Sequence, residues 1–214
     1  MPLTQIEICA DESLVESYPD GFVMQFRWQC CCVAGPYSRL IGRKIRNFPH
    51  WNLFILLFEN SKEALDPNDG SVVLKRNFPF AEYRRANDYG KKYLISQLIL
   101  SIAKEPPFTK DEYIIFENIH KKLVSLNFIY THRTAYKYID KDTSVRLYCQ
   151  LELDKYTLGA EIRRKGYGAL ERIFISDLIS TGEWCYRFSP VWKVLDKNVR
   201  ITISSRQSFQ LEIN

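Results

Sequence analysis

Pro106-Pro107 stands mid-chain between two segments of helical spacing, and this arrangement limits the fold more than any other feature. In Tyr89–Lys104, Leu94, Leu98 and Ile102 recur every four residues with Ile95 and Ile99 beside them, the stripe of an amphipathic helix. Two prolines in a row offer no backbone N–H and end that helix. Thr109-Lys-Asp-Glu112 then has the spacing of a capping box, in which the threonine oxygen accepts an orphan N–H and the glutamate reaches back. It predicts a second helix to about Ser125, with Phe116, Ile119 and Leu123 turned inward.

Strand patterns lie on both sides of this pair. In Phe22–Val33, Phe22, Met24, Phe26, Trp28, Cys30 and Cys32 alternate with Gln25, Arg27, Gln29 and Cys31, which predicts a half-buried strand ended by Gly35-Pro36. Leu40–Phe48 reads as a second strand weakened by Gly42, and Leu53–Phe58 as one buried on both faces. Asp66-Pro67-Asn68-Asp69-Gly70 is a turn, so 52–59 and 71–77 are expected to pair through a longer loop. The C-terminal third reads as an antiparallel meander. Phe128, Tyr130, His132, Thr134, Tyr136 and Tyr138 share one parity, and Val145, Leu147, Cys149, Leu151 and Leu153 alternate with polar residues. Asp154-Lys155 is a tight hairpin, followed by alternation at Leu158, Ala160 and Ile162. Leu170–Leu178 has the spacing of a short helix as much as of a strand. Trp184–Phe188, Val199–Ile203 and Phe209–Ile213 alternate again.

The expected architecture is α+β, with mostly antiparallel sheets and two central helices packed on one face. At 214 residues and 46% apolar content the chain can bury a substantial core, and it reads as a single domain over 1–214, or else as two lobes split near 105–108. Nine glycines and nine prolines exclude a collagen-like or low-complexity chain.

The net charge of +5 is unevenly spread. Residues 1–20 hold five acids and no Lys or Arg, and residues 21–46 hold five bases and no acid, so the two segments are expected to attract each other weakly. The N-terminus has neither a basic n-region nor an apolar h-region, and no apolar run approaches the roughly 20 residues of a membrane helix. A soluble cytoplasmic protein with its six cysteines reduced is expected. Cys30-Cys31-Cys32 reads as small apolar residues in a strand, with Cys31 on the wet face, because no second pair follows at zinc-ligand spacing.

No nucleophile elbow, phosphate loop, zinc helix or dinucleotide fingerprint is present. His50, His120 and His132 read as hydrogen-bonded structural residues. No catalytic residue, metal or cofactor is therefore assigned, and an enzyme with an unrecognised site stands as the least favoured reading. Binding chemistry is better represented. Arg163-Arg164-Lys165-Gly166-Tyr167 is the densest basic cluster, Arg146 and Tyr148 lie on the polar face of one strand, and Arg84-Arg85 and Lys91-Lys92 lie near Tyr83, Tyr89 and Tyr93. Arginine and tyrosine carry much of the energy of protein interfaces, and the same mixture holds single-stranded nucleic acid. Arg163, Arg164, Lys165, Tyr167, Arg146 and Tyr148 are the expected binding residues. The build resembles, in style alone, the small cytosolic inhibitors that neutralise a toxin by binding it, such as bacterial immunity proteins. Hence a non-catalytic protein-interaction domain is expected, with an acidic or mixed target surface. Single-stranded RNA or DNA is the alternative partner.

Overall fold

In the computed structural model, which describes residues 1–60, 64–68, 71–179, 191–195, 198–204 and 207–213, the chain divides into two units. The first takes Met1–Tyr130, and the second Thr131–Ser180 and Arg187–Asn214.

The first unit is built on a βαβ crossover. Strand β1 (Gln5–Ala10) leads through helix α1 (Phe22–Ile41) to β2 (Asn52–Phe58), which lies parallel to it. After β3 (Ala64–Asn68) comes β4 (Ser71–Asn77), parallel to β2, and the sheet order is β1-β2-β4-β3 with only β3 antiparallel. Ile6, Ile8 and Ala10 stand opposite Leu53, Ile55 and Leu57, and all six are buried. The apolar run Leu53–Phe58 thus occupies the interior position its composition implies.

Phe22–Val33 is helix, not strand, and Leu40–Phe48 forms no strand either. The reason is burial. From Gln29 to Ser38 every residue of α1 is buried, so the helix has no polar face to display a period of 3.6 there. The period is visible in another subset: Phe22, Phe26, Cys30, Val33, Tyr37 and Ile41 are three or four apart, and the last five have no exposed surface. Pro36 costs the helix one donor without ending it; the end comes at Gly42, whose φ of 53° suits glycine. Cys31, expected on a wet face, is buried with Cys30 and Cys32 in this helix. Cys9, Cys30, Cys31, Cys32 and Cys149 are free thiols, and Cys185 lies outside the described residues. Ser38 satisfies one donor on the edge of β1: its Oγ accepts from Ile6 N at 2.9 Å while donating to Ala34 O at 2.8 Å.

Helices α2 (Phe80–Arg85), α3 (Asp88–Ile102) and α4 (Lys110–Ser125) follow. The capping box is formed: Glu112 N donates to Thr109 Oγ1 and Thr109 N to Glu112 Oε2. Phe116, Ile119 and Leu123 are buried. Helices α1, α3 and α4 pack against one another, each giving one member of a polar relay. Tyr37 Oη lies 2.8 Å from Ser96 Oγ, which lies 2.8 Å from His120 Nδ1, with Gln97 Nε2 on the other ring nitrogen at 3.3 Å. Burial lowers the His120 pKa, the effect of Glu117 notwithstanding, so the imidazole stays neutral and can serve as one donor and one acceptor.

In the second unit, β5 (Tyr130–Arg133), β6 (Lys137–Tyr138), β7 (Thr143–Leu151), β8 (Lys155–Arg164) and β9 (Glu171–Ile179) form one sheet, with main order β5-β7-β8-β9 and β6 also on β7. Val145, Leu147, Cys149 and Leu151 face Ile162, Ala160, Leu158 and Tyr156 across the expected hairpin, and all eight are buried. Residues 170–178 are mostly strand. A register shift between Leu158 and Gly159 leaves Ile175 without an opposite number, so the alternation changes phase there and mimics a helical spacing. A second antiparallel sheet comprises β10 (Val191–Leu195), β11 (Asn198–Ser204) and β12 (Gln207–Glu212), with Trp192, Val199 and Ile201 buried. Lys137 Nζ, from β6, donates to Trp192 O and lies over its ring. The expected strand at 184–188 lies outside the described residues. The protein thus mixes helix and strand as expected, but its first sheet is largely parallel. Among the described residues no helix is long and apolar enough to cross a membrane.

Ser96→Ala removes both bonds of the relay and strands the Tyr37 hydroxyl, at a cost of about 2 kcal/mol, whereas Tyr37→Phe costs about 1 kcal/mol. Urea midpoints should therefore fall in the order wild type, Tyr37→Phe, Ser96→Ala. His120 contributes full stability above pH 6.5, the ordinary value, and loses it as the pH falls through its lowered folded value, because the unfolded chain binds the proton first. His120→Gln should flatten that part of the stability profile.

Candidate binding site

The hairpin register of β7 and β8 sets Arg146 opposite Glu161, and the pairing of β8 with β9 sets Arg172 on the other side of Glu161. One row across the second unit's sheet thus reads Arg–Glu–Arg. Arg133, from β5, reaches the same carboxylate. All three guanidiniums donate through Nε: Arg146 to Oε2 at 2.6 Å, Arg133 at 3.2 and 3.3 Å, and Arg172 to Oε1 at 3.1 Å. Glu161 has no exposed surface. Burial alone would raise its pKa, but the hydrogen bonds from Arg146 and Arg133 outweigh it and hold the carboxyl below its ordinary value.

Three cations on one anion leave an excess of positive charge, which water can reach: the Arg172 side chain is 60% exposed. Rings complete the face. Arg146 lies over Tyr136 at 4.5 Å from the centroid, and Arg172 over Tyr148 at 6.0 Å. Tyr148 in turn lies across Gly159, where a Cβ would collide with its ring, so glycine is what lets it lie flat on the sheet. Phe174, opposite Gly159 on β9, is 61% exposed.

The six expected binding residues fall into two groups. Arg146 and Tyr148 belong to this face. Arg163, Arg164, Lys165 and Tyr167 line a cavity of about 390 Å³ at one end of the same sheet, together with Tyr138, Lys141, Asp142, Ser144 and Gly166. Arg164 is bonded to Glu171 there. Of the other basic cluster, Arg84 lies over Tyr18 and Phe22, Lys91 lies over Tyr83 and Lys92 is buried, whereas Arg85 is exposed. Sequence reading missed Glu161, Arg133 and Arg172 as members of this face. Glu161 reads as one more interleaved acid until the hairpin is centred near Asp154; that register alone places it against Arg146.

A second cavity, of about 360 Å³, lies at the C-terminal end of β1 and is lined by Cys9, Asp11, Glu12, Met24, Arg27 and Leu56, among others. Burial pushes the Cys9 thiol up to about 11, against the lowering effect of Arg27, so it stays protonated near neutral pH. The Asp11 carboxylate accepts from Ser13 N, and Arg27 approaches Glu7 at 3.9 Å, a meeting of the acidic and basic N-terminal segments. Ser96, the serine bonded to His120, has no exposed surface from which to reach a substrate. Among the described residues no three His, Cys, Asp or Glu side chains are grouped to hold a metal.

Comparison with known proteins finds no matching family model, no curated protein of similar sequence and no solved structure of similar fold.

Glu161→Gln leaves three guanidiniums around a neutral amide and should destabilise the protein by about 3 kcal/mol, the low end for breaking a buried pair because the arginines keep water on one side. In the wild type the stabilisation from Glu161 is complete above about pH 4.5 and is lost as the pH falls through the lowered folded value, since the unfolded carboxyl protonates first. Denaturant midpoints measured from pH 6 to pH 3 should fall less steeply in Glu161→Gln than in the wild type.

Proposed function

We propose that the chain is a non-catalytic protein-interaction domain of the inhibitor or immunity type. It docks the arginine-aromatic face of β7, β8 and β9 on an acidic or mixed surface of a partner protein. The observation that carries this reading is the buried Glu161 carboxylate beneath Arg133, Arg146 and Arg172. A free arginine loses considerable rotamer entropy when it is fixed in an interface. Here the guanidiniums are already fixed, so less of that cost falls on binding. The anchored charges lie among Tyr136, Tyr148 and the exposed Phe174, a composition typical of interface hot spots. The positive excess supplies complementarity to an acidic partner and speeds encounter.

The alternative, association with single-stranded nucleic acid, draws on the basic cavity at the end of the same sheet. The two readings differ in salt dependence and in the residues they need, since phosphate contacts weaken steeply with salt.

The test is affinity capture of the tagged protein from its native lysate with and without nuclease, run beside Phe174→Ala and Arg172→Ala. Each variant removes a face residue while leaving Arg133 and Arg146 on Glu161. A stoichiometric protein partner that the wild type retains, and that each variant loses at least tenfold, is the expected result. A catch that vanishes with nuclease, or that both variants retain in full, would overturn the docking reading.

A further inference from the structure

Two turns at one end of the second unit's larger sheet border the 390 Å³ cavity, which is open to solvent on one side, and both are internally braced. In the turn before β7, the Asp140 carboxylate accepts from Asp142 N at 2.8 Å and Thr143 N at 2.7 Å, and these bonds, the one from Asp142 first, lower its pKa. In the turn after β8, Gly166 takes a φ of 83° that reverses the chain, and Lys165 N donates to Asp142 O at 2.7 Å, tying one turn to the other. The walls are therefore fixed in relation to each other.

Their chemistry is lopsided. Lys141, Arg163 and Lys165 line the cavity, and none is held in an ion pair among the described residues. Arg164 also lines it but is already bonded to Glu171. Asp142 is the one carboxylate of the lining. Tyr138 and Tyr167 border the same space and are 77% and 74% exposed, far more than a tyrosine serving the core edge. Cations converging on a small cavity suit a phosphate, whose charged oxygens accept strong hydrogen bonds from Lys and Arg. Exposed rings beside it suit a flat base, because stacking is tolerant of base identity.

We propose that this cavity is a nucleotide-phosphate site, in which Lys141, Arg163 and Lys165 hold the phosphate, Tyr138 and Tyr167 offer their faces to the base, and Asp142 accepts from the sugar hydroxyls. A free nucleotide and the phosphorylated end of a single strand share this chemistry. The site does not depend on the docking reading, because Phe174 and Arg172 take no part in it.

The experiment titrates the full chain at low salt with AMP, inorganic phosphate, adenosine and a 5′-phosphorylated four-residue oligoribonucleotide. AMP should saturate the protein at least tenfold more tightly than inorganic phosphate or adenosine. The double variant Arg163→Gln, Lys165→Gln should weaken AMP at least tenfold, and Tyr167→Ala several-fold, with unfolding midpoints close to wild type since all three side chains are exposed. Oligonucleotide binding tighter than AMP assigns the site to strand ends, and equal binding assigns it to free nucleotides; both support it. Absence of saturation by AMP and oligonucleotide below millimolar concentration would overturn the proposal. So would AMP binding no tighter than that of inorganic phosphate, or binding that the double variant leaves unchanged.

Discussion

A carboxylate with no exposed surface must be compensated within the protein, since removing one ion from water costs several kcal/mol. Glu161 meets that condition with three Nε–H donors from three different strands. The rest of the second unit's polar face follows from this requirement. The β7–β8 register must hold to keep Arg146 opposite Glu161, and the β8–β9 register to keep Arg172 there. A one-residue slip would turn every one of these charges to the buried face. The buried row on that other face, Val145, Leu147, Cys149 and Leu151 against Ile162, Ala160, Leu158 and Tyr156, enforces the same register from below. Hydrophobic burial supplies the stability, and the charge cluster makes a slipped alignment costly.

The same anchoring shapes the surface. Arginine on an open strand is ordinarily a mobile, hydrated side chain. Bonded to Glu161 and stacked on Tyr136 and Tyr148, the arginines become part of a layered platform, with Gly159 as the gap that lets Tyr148 lie down. A platform of this kind presents shape and charge together. The first unit handles buried polarity differently. The Tyr37–Ser96–His120 relay is neutral and joins three helices, and Ser38 satisfies one backbone donor on the open edge of β1. Polar groups there serve the fold, whereas in the second unit they also face water.

Elements with local signals were legible in the sequence. The Thr109–Glu112 box set the start of α4, the apolar run set β2, and strict alternation set β7 and β8. Helix α1 was not legible as a helix because burial from Gln29 to Ser38 removes the polar face, and because Met24 and Trp28 happen to extend a period of two. Reading α1 as a strand also hid the parallel sheet, since a parallel pair needs a crossover between its strands. The phase change at Ile175 concealed β9. Of the site, Arg146 and Tyr148 could be found from one strand's parity. Glu161 needed the β7–β8 register as well, and Arg133 and Arg172 could not be found, because what distinguishes them is their meeting with Glu161 across strands, 28 and 11 positions away.

The central claim is that one carboxylate fixes three arginines, and NMR of the arginine Nε–H groups tests it most directly. At pH 6 the account predicts three Nε–H resonances, those of Arg133, Arg146 and Arg172, protected from exchange with water and lost from that protected set together in Glu161→Gln. Nε–H signals from these arginines that exchange as fast as those of a free side chain, or protection that survives the loss of the carboxylate, would contradict it.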